Sequence, residues 1–173
     1  MDLRYPIGEF KRLPSYAPDL RRENLELLRQ APGHLRLALA GLTAAQLQTP
    51  YREGGWTVQQ VAHHLPDSHL NAYTRVKLAL TEERPAIKPY LEERWALLAD
   101  TQKTPVDVSV ALLEALHTRW IILLETLGES DWKREYLHPA GGPTSLEATL
   151  AAYAWHGRHH IAQIAGLRRR MGW

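Results

Sequence analysis

The sequence predicts an all-α protein, a four-helix bundle of up-down-down-up order built as one domain over residues 1–173. Four long stretches carry apolar residues at helical spacing, and none shows the alternation of apolar and polar residues that marks a strand. The connection over residues 81–103 is longer than neighbouring antiparallel helices need. We therefore expect it to cross the molecule and to make the second and third helices parallel.

The N-terminal part is expected to be an extended arm that precedes the first helix. Prolines and a glycine interrupt residues 1–18, so this arm stays ordered only where it docks on the body. The first helix is predicted from Asp19 to Leu42, and Pro32-Gly33 in its middle should kink or split it. Thr43 and Gln46 form a capping box that begins a short helical turn.

The second helix is predicted to begin at Thr57 and to run to about Leu80. Thr57 and Gln60 form a capping box at the point where the apolar pattern starts. Pro66 lies inside this helix, where a proline removes one backbone hydrogen bond and costs about 3 kcal/mol in an ordinary helix interior. A kink beside His64 is therefore expected.

The third helix follows the crossing connection, which has room for a short helix at about Glu92 to Asp100. Thr104 is the expected N-cap, Pro105 the first helical residue and Asp107 an acidic residue of the first turn. Gly128 is expected to end this helix.

The fourth helix is predicted from Leu146 to Arg170, after a polar loop over Glu129 to Pro143. Thr144 and Glu147 form the capping box that begins it. Arg168-Arg169-Arg170 lies at its end, where basic residues favour the helix dipole and are expected to stay solvated.

The composition excludes several classes of protein. The chain has no cysteine, so any metal must be bound by histidine and carboxylate. Lys+Arg 21 nearly balances Asp+Glu 19, and the single basic run is too short for a nucleic-acid interface. The first residues lack the apolar segment of a signal peptide, and no run is long enough to cross a membrane. We expect a cytoplasmic protein without nucleic-acid or membrane partners.

Three histidines are candidate metal ligands. His156 and His160 lie four residues apart on one face of the fourth helix, which puts their Cβ atoms about 5 to 6 Å apart. His64, on the second helix, is expected to supply the third imidazole. Three protein ligands leave a coordination position open, which is typical of catalytic rather than structural zinc sites.

The other six histidines are not expected to bind the metal. His63 and His159 each lie one residue from a candidate ligand and should face a neighbouring helix or solvent. His69 lies on another face of the second helix. The other three have no metal-like spacing: His34, His117 and His138. Gly157 rather than a glutamate follows His156, so the pair is not the motif of a zincin metalloprotease.

Polar residues continue the stripe of the second helix that carries His64. Asn71 and Arg75 are candidate cofactor-binding residues if this stripe lines a pocket, but they could equally face the crossing connection or a dimer partner. Asp67 either orients a histidine or pairs with an arginine at the surface. Gln163 is a candidate contact of the metal ligands or of a bound water.

Trp56 and Tyr51 are expected to form a hydrophobic plug at the start of the second helix. They also belong to a set of segments that resembles the YfiT group of the DinB-like superfamily. The segments that carry the resemblance are Tyr5-Pro6-Ile7-Gly8, Pro50 to Val58, His64, Asp67-Ser68-His69, Arg75, Lys77 to Glu82, Ile87-Lys88-Pro89-Tyr90 and His156 to Ile164. They span nearly the whole chain, and Pro66 departs from the pattern, which usually has a small residue there.

The resemblance implies a four-helix bundle, often dimeric, with one divalent metal ion held by three histidines, here His64, His156 and His160. Some members of the group are thiol S-transferases that use bacillithiol, and the group is often described as metal-dependent hydrolases. The implied cofactor is one divalent ion per chain, with zinc favoured and nickel as the alternative, and bacillithiol or a similar thiol is the implied co-substrate.

These observations leave three hypotheses for the function. The first is a thiol S-transferase, in which the metal activates a low-molecular-weight thiol that attacks an electrophilic substrate. The second is a hydrolase whose nucleophile is a water on the metal. The third is a binding or stress-response module that is stabilised by metal and has no turnover. A homodimer is also expected, from the resemblance and from apolar residues of the crossing connection: Tyr90, Trp95, Leu97 and Leu98.

Overall fold

Four long helices form the body of the protein in a computed structural model that describes residues 2–173. The long helices are α1 (Pro18–Leu39), α3 (Val58–Thr81), α6 (Val106–Glu125) and α8 (Leu146–Met171). The short elements are α2 (Ala44–Leu47), α4 (Glu92–Trp95), α5 (Ala99–Lys103), α7 (Glu129–Trp132), β1 (Glu135–His138) and β2 (Gly142–Ser145). The predicted all-α four-helix bundle is confirmed.

The helices pack in the cyclic order α1, α6, α3, α8, since α1 and α3 each pack on both α6 and α8. Two ion pairs show that α1 and α6 are antiparallel: Arg29 pairs with Glu125 at 2.6 Å, and Arg36 pairs with Glu114 at 2.6 Å. Helix α1 therefore occupies the corner of the bundle opposite to α3.

Side-chain contacts fix the direction of the other helices. His63 and His69 of α3 contact Ser109 and His117 of α6 in the same order along both helices, so α3 and α6 are parallel. At the ends of α1 and α8, the Arg168 guanidinium donates to the Ala38 carbonyl, and the two helices run parallel. The up-down-down-up order follows from these pairings.

Two apolar clusters fill the bundle, one toward each end. Near the N-terminus of α3 the cluster contains Leu35, Val61, Leu65, Leu113 and Ile164. Toward the other end it contains Leu28, Val76, Trp120, Leu124 and Leu150. Burial of each such side chain is worth roughly 1.5 to 3 kcal/mol. Between the clusters lies a layer of buried histidines on α3, α6 and α8.

The prolines inside α1 and α3 do not interrupt them. Helix α1 continues through Pro32 and α3 continues through Pro66, so the predicted split of the first helix is wrong. Pro32 has no N–H for the Leu28 carbonyl, four residues earlier. That carbonyl instead accepts a hydrogen bond from His117 Nδ1 at 2.7 Å. A partner on another helix thus compensates for the bond that α1 lacks.

The capping box at the start of α3 is confirmed. The Thr57 hydroxyl accepts from the backbone N–H of Gln60, and the Gln60 side chain accepts from the backbone N–H of Thr57. Helix α6 differs from expectation, because it begins at Val106 and ends at Glu125. Gly128 does not end it, and instead caps α7.

The predicted cap of α8 is wrong by one residue. Ser145 is the N-cap and its hydroxyl accepts from the backbone N–H of Ala148 at 3.3 Å. Glu147 takes no part in a capping box, because its buried carboxylate pairs with Lys133 at 2.8 Å and with Arg21 at 3.4 Å.

The connections contain more structure than the sequence predicts. The expected short helix at Glu92 to Asp100 is divided into α4 and α5. The expected loop at Glu129 to Pro143 contains α7 and the strand β1, which pairs antiparallel with β2. Four-residue strands are too short to show a recognisable alternation. Gly142, the first residue of β2 after the turn, has a φ of +66°, which glycine adopts easily.

The N-terminal residues lie against α8. The Arg4 carbonyl accepts from Gln163 Nε2 at 3.0 Å, Arg12 donates to the Pro143 carbonyl at 2.6 Å, and Tyr16 is buried. The basic run at the end of α8 is not simply solvated, since Arg168 and Arg170 donate to backbone carbonyls of Ala38, Ala40 and Tyr51. Within residues 2–173, no helix has the length and apolar character needed to cross a membrane.

Candidate metal centre

The antiparallel packing of α3 and α8 brings together the three histidines proposed as ligands. One ring nitrogen from each of His64, His156 and His160 lies within 4.8 Å of the others. The Nε2 atoms of His64 and His156 are 3.2 Å apart. Two nitrogens bound to one tetrahedral zinc ion at 2.0 to 2.1 Å are roughly 3.3 to 3.4 Å apart. The arrangement therefore fits a divalent ion.

All three rings are held in the neutral form that binds metal. Burial, together with a smaller effect of nearby His159, lowers the pKa of His64 to about 4. Burial also holds the pKa of His156 and of His160 well below the usual value, with added effects of the neighbouring histidines. A neutral imidazole offers a lone pair, so no proton has to be displaced before an ion binds.

The second nitrogen of two of these rings is occupied by a protein partner. His160 Nδ1 lies 2.8 Å from Gln163 Oε1, and His156 Nδ1 lies 3.2 Å from His69 Nε2. Gln163 Nε2 donates to the Arg4 carbonyl, which orients the amide with its oxygen toward His160. His160 therefore donates through Nδ1 and keeps Nε2 free. The contact of Gln163 with the ligand set was among the candidates from sequence.

Trp56 covers the site on one side. Its ring lies 4.7 Å from that of His64 and stacks at 6.4 Å over that of His160. The indole N–H donates to Glu93 at 2.9 Å. Tyr51 is buried in the neighbouring apolar cluster, as a plug would be. Trp56, which the sequence assigned to the same plug, forms a wall of the site.

Two cavities reach the histidines from different sides. A cavity of about 310 Å³ contains His160 and is lined by Trp56 and by residues of the N-terminal arm and the loop before α3: Arg4, Tyr5 and Arg52. A cavity of about 590 Å³ contains His156 and is lined by Ser68, Arg75, Tyr90, His138 and Tyr153. Glu92 and Glu93 line both cavities.

Arg75 is a buried cation inside the larger cavity. It is 9% exposed, and within residues 2–173 no side chain or carbonyl forms an ion pair or hydrogen bond with its guanidinium. The Tyr90 hydroxyl is also buried there without a hydrogen-bond partner in the described chain. A buried charge is costly unless a partner compensates it. The part of the cavity beside Arg75 therefore suits a group with negative charge.

Asn71 and Asp67 occupy other positions. Asn71 Nδ2 donates to the Asp67 carbonyl at 2.9 Å, and Asn71 is not among the residues that line the larger cavity. The Asp67 carboxylate pairs with no histidine and no arginine of the described chain, so neither role considered from sequence is observed. Burial, with a contribution from Asp100, raises the pKa of Asp67 to about 6.

Of the six remaining histidines, four contact another helix or line the larger cavity. His63 faces α6, as expected, with Nδ1 2.6 Å from Ser109 Oγ and Nε2 3.1 Å from the Thr104 carbonyl. Three others belong to the site or its surroundings: His69 contacts His156, His117 contacts His69, and His138 lines the larger cavity. Sequence spacing could not predict these contacts, because each one joins two elements that are distant in sequence.

The family model described as the DinB superfamily matches residues 27–164. A protein of Bacillus mycoides strain KBAB4 is 49% identical over 172 residues, which cover 99% of both chains. The chain belongs to the DinB superfamily. A protein of Bacillus cereus strain 03BB102 is 50% identical over 172 residues, again 99% of both chains. Both relatives are provisionally named metal-dependent hydrolases.

Solved structures match this chain as well. YfiT from Bacillus subtilis matches with a TM-score of 0.97 and 48% identity, over 100% of this chain and 99% of its own. It is described provisionally as a metal-dependent hydrolase with an unusual four-helix bundle topology. A mycothiol-dependent maleylpyruvate isomerase has a TM-score of 0.66 and 20% identity, over 83% of this chain and 60% of its own. At that identity the second match concerns the fold alone.

Proposed function

We propose that this protein is a metal-dependent thiol S-transferase that holds one divalent ion per chain with His64, His156 and His160. Zinc is the favoured ion and nickel the alternative, since imidazole binds both. The ion supplies a Lewis acid that lowers the pKa of a bound thiol or water and so provides a nucleophile near neutral pH. The rest of the chemistry belongs to the residues of the two cavities.

The observation that carries the proposal is a pair of cavities beside the candidate ligands. One contains His160 and the other contains His156, and the segment with Glu92 and Glu93 lies between them. A transferase must hold two organic substrates at once and direct one at the other. A hydrolase needs space for one organic substrate only. Two separate spaces of about 310 and 590 Å³ therefore favour transfer.

Arg75 gives the larger cavity a preference for an anionic group. Its guanidinium can form two parallel hydrogen bonds with a carboxylate, and the unpartnered Tyr90 hydroxyl can add a third. A low-molecular-weight thiol of the bacillithiol type carries carboxylate groups. We therefore assign the thiol to this cavity and the electrophile to the smaller one beside Trp56.

The transfer also releases a proton, which a group near both substrates must accept. Glu93 is already the acceptor of the Trp56 indole N–H. Glu92 lines both cavities, and its carboxylate has no hydrogen-bond or ion-pair partner within residues 2–173. Burial and the adjacent Glu93 raise the pKa of Glu92, which makes it a better proton acceptor. We assign this role to Glu92.

The test is conjugation of a thiol to a haloaromatic electrophile by the zinc-loaded protein. A new carbon–sulfur bond replaces the carbon–halogen bond, and halide and one proton are released in equal amounts. We expect bacillithiol to be consumed faster than cysteine, and Arg75→Ala to raise the thiol concentration at half-maximal rate without changing the zinc content. Asn71→Ala is the matched control from the same helix. An equal rate in metal-free protein would contradict the proposal.

A hydrolase is the second candidate, and the provisional name shared by the relatives at 49% to 50% identity favours it. The same three histidines would then activate water. Cleavage of carboxylate-containing esters or amides by zinc-loaded protein in the absence of any thiol distinguishes this activity. A protein that binds zinc but is inactive in both assays would instead be the non-catalytic, metal-stabilised module.

We also propose that the protein is a homodimer. The crossing connection exposes Trp95, Leu97 and Leu98, of which Leu97 is 65% exposed. Clustered apolar residues at a surface favour association, most often with two-fold symmetry. Analytical ultracentrifugation should give twice the mass of the 19.7 kDa chain, and Leu97→Glu with Leu98→Glu should reduce it to that of one chain. A wild-type mass near 19.7 kDa at micromolar concentration would contradict the proposal.

A further inference from the structure

A chain of hydrogen bonds between imidazoles runs from the metal centre into the middle of the bundle. His156 Nδ1 lies 3.2 Å from His69 Nε2, and His69 Nδ1 lies 2.8 Å from His117 Nε2. His117 Nδ1 lies 2.7 Å from the Leu28 carbonyl oxygen. His69 is 0% exposed and His117 is 1% exposed. Four elements of the bundle, α8, α3, α6 and α1, thus each contribute one member.

The carbonyl at the inner end sets the direction of every bond. A carbonyl oxygen can only accept, so His117 Nδ1 must carry the hydrogen. Burial keeps the rings neutral, and a neutral imidazole with a hydrogen on Nδ1 accepts at Nε2. His69 must therefore donate through Nδ1 and accept through Nε2, and His156 must donate through Nδ1. The Nε2 atom of His156 is left with a free lone pair, 3.2 Å from His64 Nε2.

The inner carbonyl is available because of Pro32. In an uninterrupted α-helix, the N–H of residue 32 would bind the Leu28 carbonyl. Proline has no N–H, so within α1 that carbonyl has no donor at position 32. Both Leu28 and Pro32 are buried, which also keeps water from this oxygen. His117 on α6 is the donor that satisfies it.

We propose that the Leu28 carbonyl, His117 and His69 are positioning residues that fix the tautomer of His156 and direct its Nε2 toward the metal. The proposal rests on the metal site proposed above, although the tautomer itself does not require a bound ion. Metal-binding histidines commonly use a carbonyl or carboxylate to orient the ring. Here two further imidazoles transmit that effect from a carbonyl on the opposite side of the core.

The first test uses the metal-free protein. Nitrogen-15 NMR distinguishes the tautomers of neutral histidine, and wild-type His69, His117 and His156 should all carry the hydrogen on Nδ1. In His117→Phe the chain loses its fixed end, so a substantial fraction of His156 should move its hydrogen to Nε2. His63→Phe is the matched control, a buried α3 histidine with bonds to Ser109 and Thr104 only, and should leave His156 unchanged.

The second test measures zinc affinity by competition with a chelator. Loss of a partner that orients a ligand weakens metal binding by about 10- to 100-fold, and we expect this range for His69→Phe and His117→Phe, with no comparable loss in His63→Phe. Pro32→Ala is a second variant that should remain folded, because alanine favours helix α1. Its new backbone N–H competes with His117 for the Leu28 carbonyl, so zinc binding should still weaken.

The outcomes separate this proposal from the metal site itself. Wild-type protein that binds no zinc would overturn the metal site, while the tautomers of the metal-free protein would still test the chain. If wild-type His156 carried its hydrogen on Nε2, the proposed series of imidazole hydrogen bonds would be overturned. An unchanged His156 tautomer and an unchanged zinc affinity in folded His69→Phe and His117→Phe would overturn it as well.

Discussion

Each candidate metal ligand is held differently by its neighbours. His156 donates to His69 and His160 donates to Gln163, so both rings are fixed through Nδ1. The Nδ1 atom of His64 has no hydrogen-bond partner within residues 2–173, and its Nε2 faces Nε2 of His156 at 3.2 Å. The His64 ring is instead oriented by contact with Trp56, 4.7 Å away. Removal of any one ring leaves two ligands, too few to retain the ion.

We accordingly predict that His64→Ala, His156→Ala and His160→Ala each lose the bound metal. Elemental analysis of the purified variants measures the content per chain, with the exposed His34→Ala as the control. Full retention in His156→Ala or His160→Ala would disprove the ligand assignment.

Asp67 should make stability depend on pH in a defined direction. Its pKa of about 6 in the folded protein lies above the ordinary value, so folding favours the protonated carboxyl. This stabilisation is complete below the ordinary pKa near 4 and is lost as the pH rises through 6. Urea denaturation between pH 4 and 6 should show wild type losing stability relative to Asp67→Asn. A constant difference over this range would contradict the prediction.

The sequence identified the candidate ligands but not the groups that contact them. His156 and His160 could be identified because both lie on one helix, where spacing alone sets their separation. His69 and His117 could not, since their contact depends on how α3 and α6 pack. Spacing within one element is visible in a sequence, whereas register between elements is not.

At the scale of the element, α8 shows how two adjacent residues compete for one role. Thr144 and Ser145 are both good N-cap residues, and the sequence favoured Thr144 because Glu147 completed a capping box. The structure uses Ser145, because Glu147 is occupied by Lys133 and Arg21. A tertiary ion pair thus overrides a local capping pattern.

We predict that Ser145→Ala destabilises the protein by about 1 kcal/mol, the usual effect of losing an N-cap side chain. The hydroxyl of Ser145 is the acceptor for the Ala148 N–H, which would be left without its partner. Chemical denaturation measures the change. Thr144→Ala, which removes the neighbouring hydroxyl, should cost less, and the reverse order would show that Thr144 is the cap.

At the scale of the whole molecule, the site depends on two helices that are adjacent in space but distant in sequence. The sequence predicted the bundle and its order because the long connection at residues 81–103 is visible as a length. It missed the β1–β2 hairpin, whose strands have four residues each. Features that span many residues were predicted, and short ones were not.

Metal removal should therefore destabilise the whole fold. An ion that binds only the folded protein stabilises it by about 2.7 kcal/mol at a hundredfold excess over its dissociation constant. For a chain of this size that corresponds to a rise in Tm of roughly 5 to 10 °C. Differential scanning calorimetry with and without chelator measures it, and His64→Ala should show no such shift. Equal melting of loaded and metal-free wild type would contradict the prediction.

The separation of 92 residues between His64 and His156 has a consequence for the kinetics of folding. In the unfolded chain, His156 and His160 can meet in a nascent helical turn, but His64 can join them only after a long loop has closed. We therefore expect the complete ligand set to form late, after the main folding barrier. Contacts formed after the barrier slow unfolding and leave the folding rate almost unchanged. The bound ion is therefore expected to lengthen the lifetime of the native protein rather than to nucleate its formation.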